Sequence, residues 1–189
     1  MRFELAVPVN PTDHLLGPSH APITLVEYGD FECPNCKQAA PAVKLLLKRF
    51  NGRVRLVWRQ FPLEEVHPHA LQAALASEAA AGQGEFWPMH DLLFRHQPQW
   101  AGLADPVSYF LALGDSAGLD RTRLARCVSA RAARAEVDAD AASSANAGAS
   151  ATPTFYVEKL LVSGAAPLAV FRHLLDSLYQ ARTGRAGAR

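Results

Sequence analysis

One stretch of the sequence, residues 27–41, constrains the fold more than any other. It reads EYGDFECPNCKQAAP and places Cys33 and Cys36, with Pro34 and Asn35 between them, where an apolar run gives way to a helical pattern. Pro34 suits the first position of a helix, because the N–H that proline lacks would be unpaired there in any case. The stretch therefore predicts a strand, a short loop and a helix whose first turn carries both sulfurs.

The remaining patterns predict the element order βαβ, a helical block, then ββα. Apolar and β-branched runs predict strands at residues 23–28, 54–58, 154–157 and 160–163, with a short strand near Phe3. Helical spacing of apolar residues predicts helices at residues 34–50, 68–81, 86–96 and 106–113, another from the N-cap Asp120 onward, and a last one carrying Leu168 to Tyr179. A crossover helix makes the first two long strands parallel, whereas Glu158 and Lys159 predict a hairpin that adds an antiparallel edge.

This order predicts an α/β sandwich with an all-helical insertion. The strands on either side of the helical block are too few to form two separate sheets, so residues 1–189 are predicted to form a single domain. The core is expected at about residues 14–62 and 148–183, and the insertion at about residues 63–147. A chain of this length buries a core without needing disulfide staples.

Charge and hydropathy exclude some function classes. The net charge of +1 gives no basis for binding nucleic acid or an acidic membrane. The first residues, MRFELAVPVNPTDH, lack the apolar segment of a secretory signal, and no apolar run approaches the ~18 residues of a membrane span. The sequence therefore predicts a cytoplasmic protein without a membrane partner, and a reducing compartment favours redox or metal chemistry for a C-x-x-C pair.

The predicted position of the cysteines makes them chemically unequal. Cys33 falls at the start of the helix, where the helix dipole and the free amides stabilise a thiolate and lower its pKa. Cys36 lies one turn further on, on the same face, close enough to form a disulfide but more buried. Glu27 is the one charge in its apolar strand. A carboxylate buried beneath the cysteines would have a raised pKa and could move the proton of the resolving thiol, and the alternative is an outward-facing residue of an edge strand.

Zinc binding and a structural disulfide are the alternatives to redox chemistry. Tetrahedral zinc needs a second pair of ligands, and Cys127, His67 and His69 lack the usual spacing. Cys127 is interpreted as a small buried apolar residue of its helix, and the two histidines as surface or capping residues. The sequence thus favours a redox pair and predicts no metal site.

Several separated motifs resemble one known family. CPNCKQAAP resembles the C-x-x-C-K-x-x-A-P signature of thioredoxin-fold proteins, and LGPSHAPITLVEYGDFECPNC is similar to the DsbA-like thiol:disulfide oxidoreductases, whose fold has a helical insertion. The resemblance continues through residues 61–63 (FPL), residues 84–91 (GEFWPMHD) and the helix of Cys127, and it ends at residues 151–155 (ATPTF). It covers most of residues 14–180 and implies a thioredoxin fold.

The resemblance assigns roles to three residues of this sequence. It implies that Cys33 is the nucleophile, that Cys36 is the resolving thiol and that Glu27 is the buried acid. The partners would be protein or peptide thiols and disulfides, together with glutathione or a thioredoxin-type reductant. No cofactor is implied beyond a redox-active disulfide between the two cysteines.

The resemblance also implies a substrate-binding surface. Pro153 would be the cis-proline that faces the cysteines, and Thr152 would offer its backbone to an extended substrate. Pro34 and Asn35, between the cysteines, would contact the same substrate. The dipeptide departs from the Pro-His of the strongly oxidising member, because Asn35 brings no cation to the thiolate, and this leaves the direction of exchange open.

Two further functions fit the same fold. One is a chaperone-like, peptide-binding module that uses the groove beside Pro153, and the retained cysteine pair argues against it. The other is a glutathione-dependent isomerase or transferase, a class that usually dispenses with a second cysteine, so the presence of Cys36 counts against it.

Overall fold

The computed structural model describes residues 5–158, 160–164 and 166–186, and in this part of the chain five strands form one sheet. The strands are β1 (His14–Leu16), β2 (Ile23–Gly29), β3 (Val54–Gln60), β4 (Thr154–Val157) and β5 (Leu160–Ser163). The four strands expected from residue 23 onward are confirmed. β1 was not predicted, and the strand expected near Phe3 lies outside the described residues, as does Lys159 of the hairpin.

The described helices are α1 (Pro34–Arg49), α2 (Ala70–Ala81), α3 (Phe86–Arg95), α4 (Gln97–Trp100), α5 (Val107–Ser116), α6 (Arg121–Ser129), α7 (Arg134–Asn146) and α8 (Leu168–Ala186). The block between β3 and β4 is helical, as predicted, and Asp120 caps α6 by accepting a 2.8 Å hydrogen bond from the amide of Arg123. The short α4 was not predicted. The single helix expected from Asp120 onward is wrong, since Arg131, with φ of 49°, lies in a turn that separates α6 from α7.

The sheet order is β1–β3–β2–β4–β5, which puts β2 in the centre. β2 and β3 are parallel and are joined by α1, as the crossover argument predicts. β4 pairs antiparallel with both β2 and β5, and β1 pairs antiparallel with β3. The architecture is the predicted α/β thioredoxin fold with a helical insertion.

Side chains of the central strands alternate between two buried faces of the sheet. One face, carrying Leu25 and Phe155, packs against α1 and α8. The opposite face, carrying Val26 and Tyr156, packs against Ala147, directly after α7. Glu27 therefore belongs to the α1 face of a central strand, and its residue is only 2% exposed, which rules out the outward-facing edge position.

Gly29 ends β2 at a point of close packing. A Cβ atom at this position would overlap the six-membered ring of the Trp58 indole. Because glycine leaves that space open, the strand end lies directly against Trp58, and the chain then turns into residues 30–33, which lead to α1.

Arg59 fastens the segment before β1 to the other face of the sheet. Its guanidinium is buried and forms a bidentate pair with Asp13, with N–O distances of 2.8 and 3.0 Å. It also donates to the carbonyls of Val7 and Pro8 at 2.8 and 3.1 Å and to the hydroxyl of Tyr28 at 3.0 Å. The side chain of Arg59 therefore holds residues before the first strand against the sheet. None of the helices in the described ranges is long and apolar enough to cross a membrane.

Candidate active site

The two cysteines lie at the start of α1, where the sequence places them. Cys33 is the N-cap residue, with extended backbone angles (φ −66°, ψ 122°), and Pro34 begins the helix. Both sulfurs belong to free thiols, so the structure represents the dithiol form. Cys33 is 4% exposed and Cys36 is fully buried, whereas Pro34 and Asn35, the predicted substrate contacts, are exposed.

Cys33 is surrounded by hydrogen-bond donors. The thiol of Cys36 and, to a smaller extent, the backbone amides of Asn35 and Cys36 at the start of α1 stabilise its thiolate. These donors outweigh the opposing effect of burial and lower the pKa of Cys33 to about 5. Asn35 brings no cation, but its backbone amide is one of the donors. The thiol of Cys36 therefore makes the largest contribution to the stabilisation, and the helix amides that the sequence argument invoked contribute less.

Cys36 has the opposite acidity. Burial raises the pKa of its thiol well above the ordinary value, and the neighbouring charges of Cys33 and Glu27 raise it further. The amide of Asp30 donates a weak hydrogen bond to its sulfur at 3.5 Å, which acts in the other direction. At neutral pH the pair therefore consists of one thiolate and one protonated thiol within a single helical turn.

Glu27 lies beneath the pair, and no cation among the described residues contacts it. Burial raises its pKa from 4.5 to about 8. Its Oε1 atom, like the Nε1 atom of Trp58 at the paired position of β3, has no hydrogen-bond partner among the described residues. A carboxyl group with a pKa near neutrality beside a thiol can take up or give back one proton, and its predicted role in resolution stays a prediction.

The loop before β4, which is distant in sequence, lies next to Cys33. The Thr152–Pro153 peptide bond is cis, in the position that the resemblance implies. The thiol of Cys33 donates to the carbonyl of Thr152 at 3.3 Å across 119 residues of sequence. The structure therefore brings together the predicted nucleophile and the predicted substrate-pairing residue.

An acidic network beside the cysteines was not predicted. The buried carboxylate of Asp30 accepts hydrogen bonds from the amides of Glu32 at 2.8 Å and Leu63 at 3.0 Å. Its Oδ2 also lies 2.7 Å from Nδ1 of His67. His67, which was expected to be a surface or capping residue, is half-buried and links the loop before α1 to the start of the helical insertion. The acidic residues of GDFEC, directly after a strand, were the available signal.

Gln97 is a second residue that the sequence did not reveal. Its side-chain amide is buried, and its Nε2 atom donates to the carbonyls of Phe31 at 2.7 Å and Cys33 at 3.0 Å. Nothing local marks it, because it belongs to the unpredicted α4 and lies 64 residues from Cys33. It is a direct contact between the insertion and the cysteine loop.

The third cysteine lies apart from this arrangement. Cys127 is half-buried in α6 and packs at the margin of the core. Within the ranges that the structure describes, no group of three or more His, Cys, Asp and Glu side chains could hold a metal ion.

Known proteins share this fold. The sequence matches the thioredoxin family over residues 9–177. DsbA1 of Wolbachia pipientis superimposes with a TM-score of 0.84 at 21% identity, covering 96% of this chain and 97% of that protein. A thioredoxin-like oxidoreductase from Silicibacter pomeroyi superimposes with a TM-score of 0.75 at 29% identity, covering 92% and 94% of the two chains.

Similar sequences also occur within longer proteins. The Na(+)/H(+) antiporters NhaA 1 of Salinispora arenicola and NhaA 3 of Salinispora tropica are 46% and 50% identical over 156 residues. Each match covers 82% of this chain but only 23% of the antiporter. The chain thus spans about a quarter of the length of these curated relatives, and the likeness concerns that segment of them.

Proposed function

The chain belongs to the thioredoxin family, in its DsbA-like form with a helical insertion, and on that premise we propose that it is a thiol:disulfide oxidoreductase acting on protein substrates. The observation that carries the proposal is the contrast in acidity within the first turn of α1. The pKa of Cys33 is lowered to about 5, whereas that of Cys36 is raised. The sulfur of Cys33 can therefore attack a disulfide as a thiolate, whereas the sulfur of Cys36 stays protonated.

The proposed cycle needs only these two sulfurs and a proton acceptor. The thiolate of Cys33 attacks one sulfur of a substrate disulfide, and the other substrate sulfur leaves as a thiolate. Glu27 then takes the proton of Cys36 through the fraction of its carboxyl group that is ionised, a fraction that grows as pH approaches its pKa of about 8. The thiolate of Cys36 attacks the sulfur of Cys33 and releases the second substrate thiolate. The substrate gains two electrons, and the enzyme ends as a disulfide. The reverse sequence oxidises a substrate dithiol.

The acidity of Cys33 favours the oxidation of substrate dithiols over the reduction of substrate disulfides. A stabilised thiolate stabilises the dithiol form of the enzyme, and this makes its disulfide form the stronger oxidant. An extended substrate would pair with the backbone of Thr152 and contact Pro34 and Asn35, the exposed residues between the sulfurs. Glutathione and a thioredoxin-type reductant are proposed partners for recycling, and the cytoplasmic location stays a prediction.

The equilibrium with glutathione tests the proposal. Redox titration should show one two-electron couple, and insulin reduction should require both cysteines. Cys33→Ser should abolish exchange, Cys36→Ser should accumulate mixed disulfides with substrate, and Cys127→Ser should match the wild type. Peptide binding that persists without exchange in the wild type would instead support a chaperone-like module and overturn the redox assignment.

A further inference from the structure

The loop that delivers Cys33 is held by bonds within the loop and by bonds to the helical insertion. Two of its amides are paired within the loop: the amide of Cys33 donates to the carbonyl of Asp30 at 3.2 Å, and the amide of Glu32 donates to the side chain of Asp30 at 2.8 Å. The carbonyl of Phe31 is different, because its partner is Gln97 of the helical insertion. Asp30 thus joins the loop to itself and to the start of the insertion through its side chain, whereas Gln97 holds the loop by its backbone carbonyls.

The geometry of Gln97 is unambiguous. Both partners of its side chain are carbonyl oxygens, which can only accept, so the nitrogen of the amide must face them. Its Nε2 atom carries two hydrogens, enough for one hydrogen bond to Phe31 and one to Cys33. The side chain is 5% exposed by residue, so water does not compete freely for these positions.

These two bonds fix the orientation of the Phe31–Glu32 peptide group and of the Cys33–Pro34 peptide group. The carbonyl of Cys33 also accepts the 3.2 Å hydrogen bond from Lys37 that opens α1. With its carbonyl held in place, the following turn presents the amides of Asn35 and Cys36 to the sulfur. The orientation of the donors around the nucleophile therefore depends on a residue of the insertion.

We propose that Gln97 is a positioning residue through which the helical insertion sets the reactivity of Cys33. It touches neither the sulfur nor the substrate and acts by holding the carbonyls of Phe31 and Cys33. The proposal rests on the redox function proposed above. It implies that any movement of α4 is transmitted to the nucleophile.

A merely structural role makes a different prediction. Replacing Gln97 leaves the carbonyl of Phe31 without its donor, and a buried unpaired carbonyl lowers stability whether or not the sulfur is affected. Stability alone therefore decides nothing. The decisive quantities are the pH midpoint for alkylation of Cys33 and the equilibrium constant of the cysteine pair with glutathione.

The experiment compares Gln97→Met with two controls in the full chain. Gln99→Met changes an exposed residue of the same helix. Ser77→Ala removes buried hydrogen bonds in α2, to Ala74 and from Gln60, away from the cysteine loop. Gln97→Asn retains the amide but shortens its reach, and it replaces Gln97→Met if that variant does not fold.

The proposal expects the alkylation midpoint in Gln97→Met to rise by about one pH unit, and the glutathione equilibrium constant to move about tenfold toward the disulfide. Gln97→Asn should move both in the same direction by less, and both controls should match the wild type. A folded Gln97 variant with an unchanged midpoint and equilibrium would overturn the positioning role. A wild type that does not exchange disulfides at all would instead overturn the proposed function.

Discussion

The two faces of the central sheet bury polar groups in opposite ways. On the α7 face, Arg59 is surrounded by acceptors, and Tyr28 also hydrogen-bonds Ser143 of α7 at 2.9 Å. On the α1 face, one strand position away, Glu27 is equally buried but has no cation, and its Oε1 atom has no hydrogen-bond partner within the described ranges. The same two strands, β2 and β3, supply both sites.

The difference separates a structural use of buried polarity from a chemical one. A buried charge with all its partners is fixed in one protonation state: burial acts to lower the pKa of Arg59, but its bonds to Asp13 and Tyr28 raise it above the ordinary value. A buried carboxyl without partners has its pKa brought toward neutrality, as for Glu27 at about 8. The first arrangement holds the chain together, and the second provides a proton that can move.

The largest effect on unfolding free energy is expected from removing Arg59 from its buried ion pair. Arg59→Met leaves the buried carboxylate of Asp13 without its partner, and loss of one member of a buried ion pair costs about 3–5 kcal/mol of unfolding free energy. Denaturant unfolding measures this loss, and Arg59→Met combined with Asp13→Leu should recover part of it. If the folded single variant also has an altered alkylation midpoint at Cys33, the two faces are not independent.

Replacing the unpaired carboxyl group of Glu27 should stabilise the protein. The folded state holds a proton on Glu27 that the unfolded state releases, so unfolding free energy falls as pH rises from 4.5 toward the folded pKa of about 8. Glu27→Gln lacks this fall and should be more stable than the wild type by about 1–3 kcal/mol at pH 7. The difference should vanish at pH 4.

The same variant separates stability from chemistry. In stopped-flow measurements, Glu27→Gln should slow resolution by Cys36 more than the first attack by Cys33. Equal slowing of the two steps would remove Glu27 from the proton transfer while leaving the stability argument intact.

Asp140 offers an intermediate case on the paired face. It accepts a 2.9 Å hydrogen bond from the amide of Gln60, yet burial raises its pKa from 3.8 to about 6. Ionisation of Asp140 therefore lowers the unfolding free energy as pH rises from 3.8 to 6. Asp140→Asn retains an acceptor for the amide of Gln60, and its unfolding free energy should be about 1 kcal/mol higher than that of the wild type at pH 7. Thermal unfolding at pH 3.5 and pH 7 checks this, and a gain of equal size at both would contradict it.

The smallest effect is expected at the surface. Arg121 and Asp115 form an ion pair with half-exposed side chains, and Asp115→Asn should change unfolding free energy by less than about 1 kcal/mol. Denaturant unfolding should place this variant within error of the wild type. A loss comparable to that of Arg59→Met would show that burial is not what distinguishes the two pairs.

Local patterns were sufficient for the central elements. β4 and β5 have the predicted limits, because two short, mostly apolar runs flank a two-residue hairpin signal. The sequence suggested a buried Glu27 because it is the one charge in an apolar strand, but only the structure excludes an edge position. The position of Cys33 followed from the proline after it. β1 escaped prediction because its three residues, HLL, are too short for a periodicity and lack β-branched side chains.

Long-range contacts could not be predicted from the sequence. The bonds from Gln97 to the cysteine loop and from Asp30 to the segment after β3 depend on how the insertion folds back over the sheet. Their residue types are common in loops and helices and carry no period of their own. The position of Cys33 could be predicted, but the side chains of Asp30 and Gln97 that hold its loop could not.

The contacts of Arg59 affect how a fragment of this chain should be designed. Secondary structure alone suggests His14, the first residue of β1, as a starting point for an expression fragment. That choice would discard Asp13 and the carbonyls of Val7 and Pro8, and it would leave a buried guanidinium with one remaining side-chain acceptor, the hydroxyl of Tyr28. A workable fragment has to include Val7, seven residues before the first strand, so its boundary is set by side-chain chemistry.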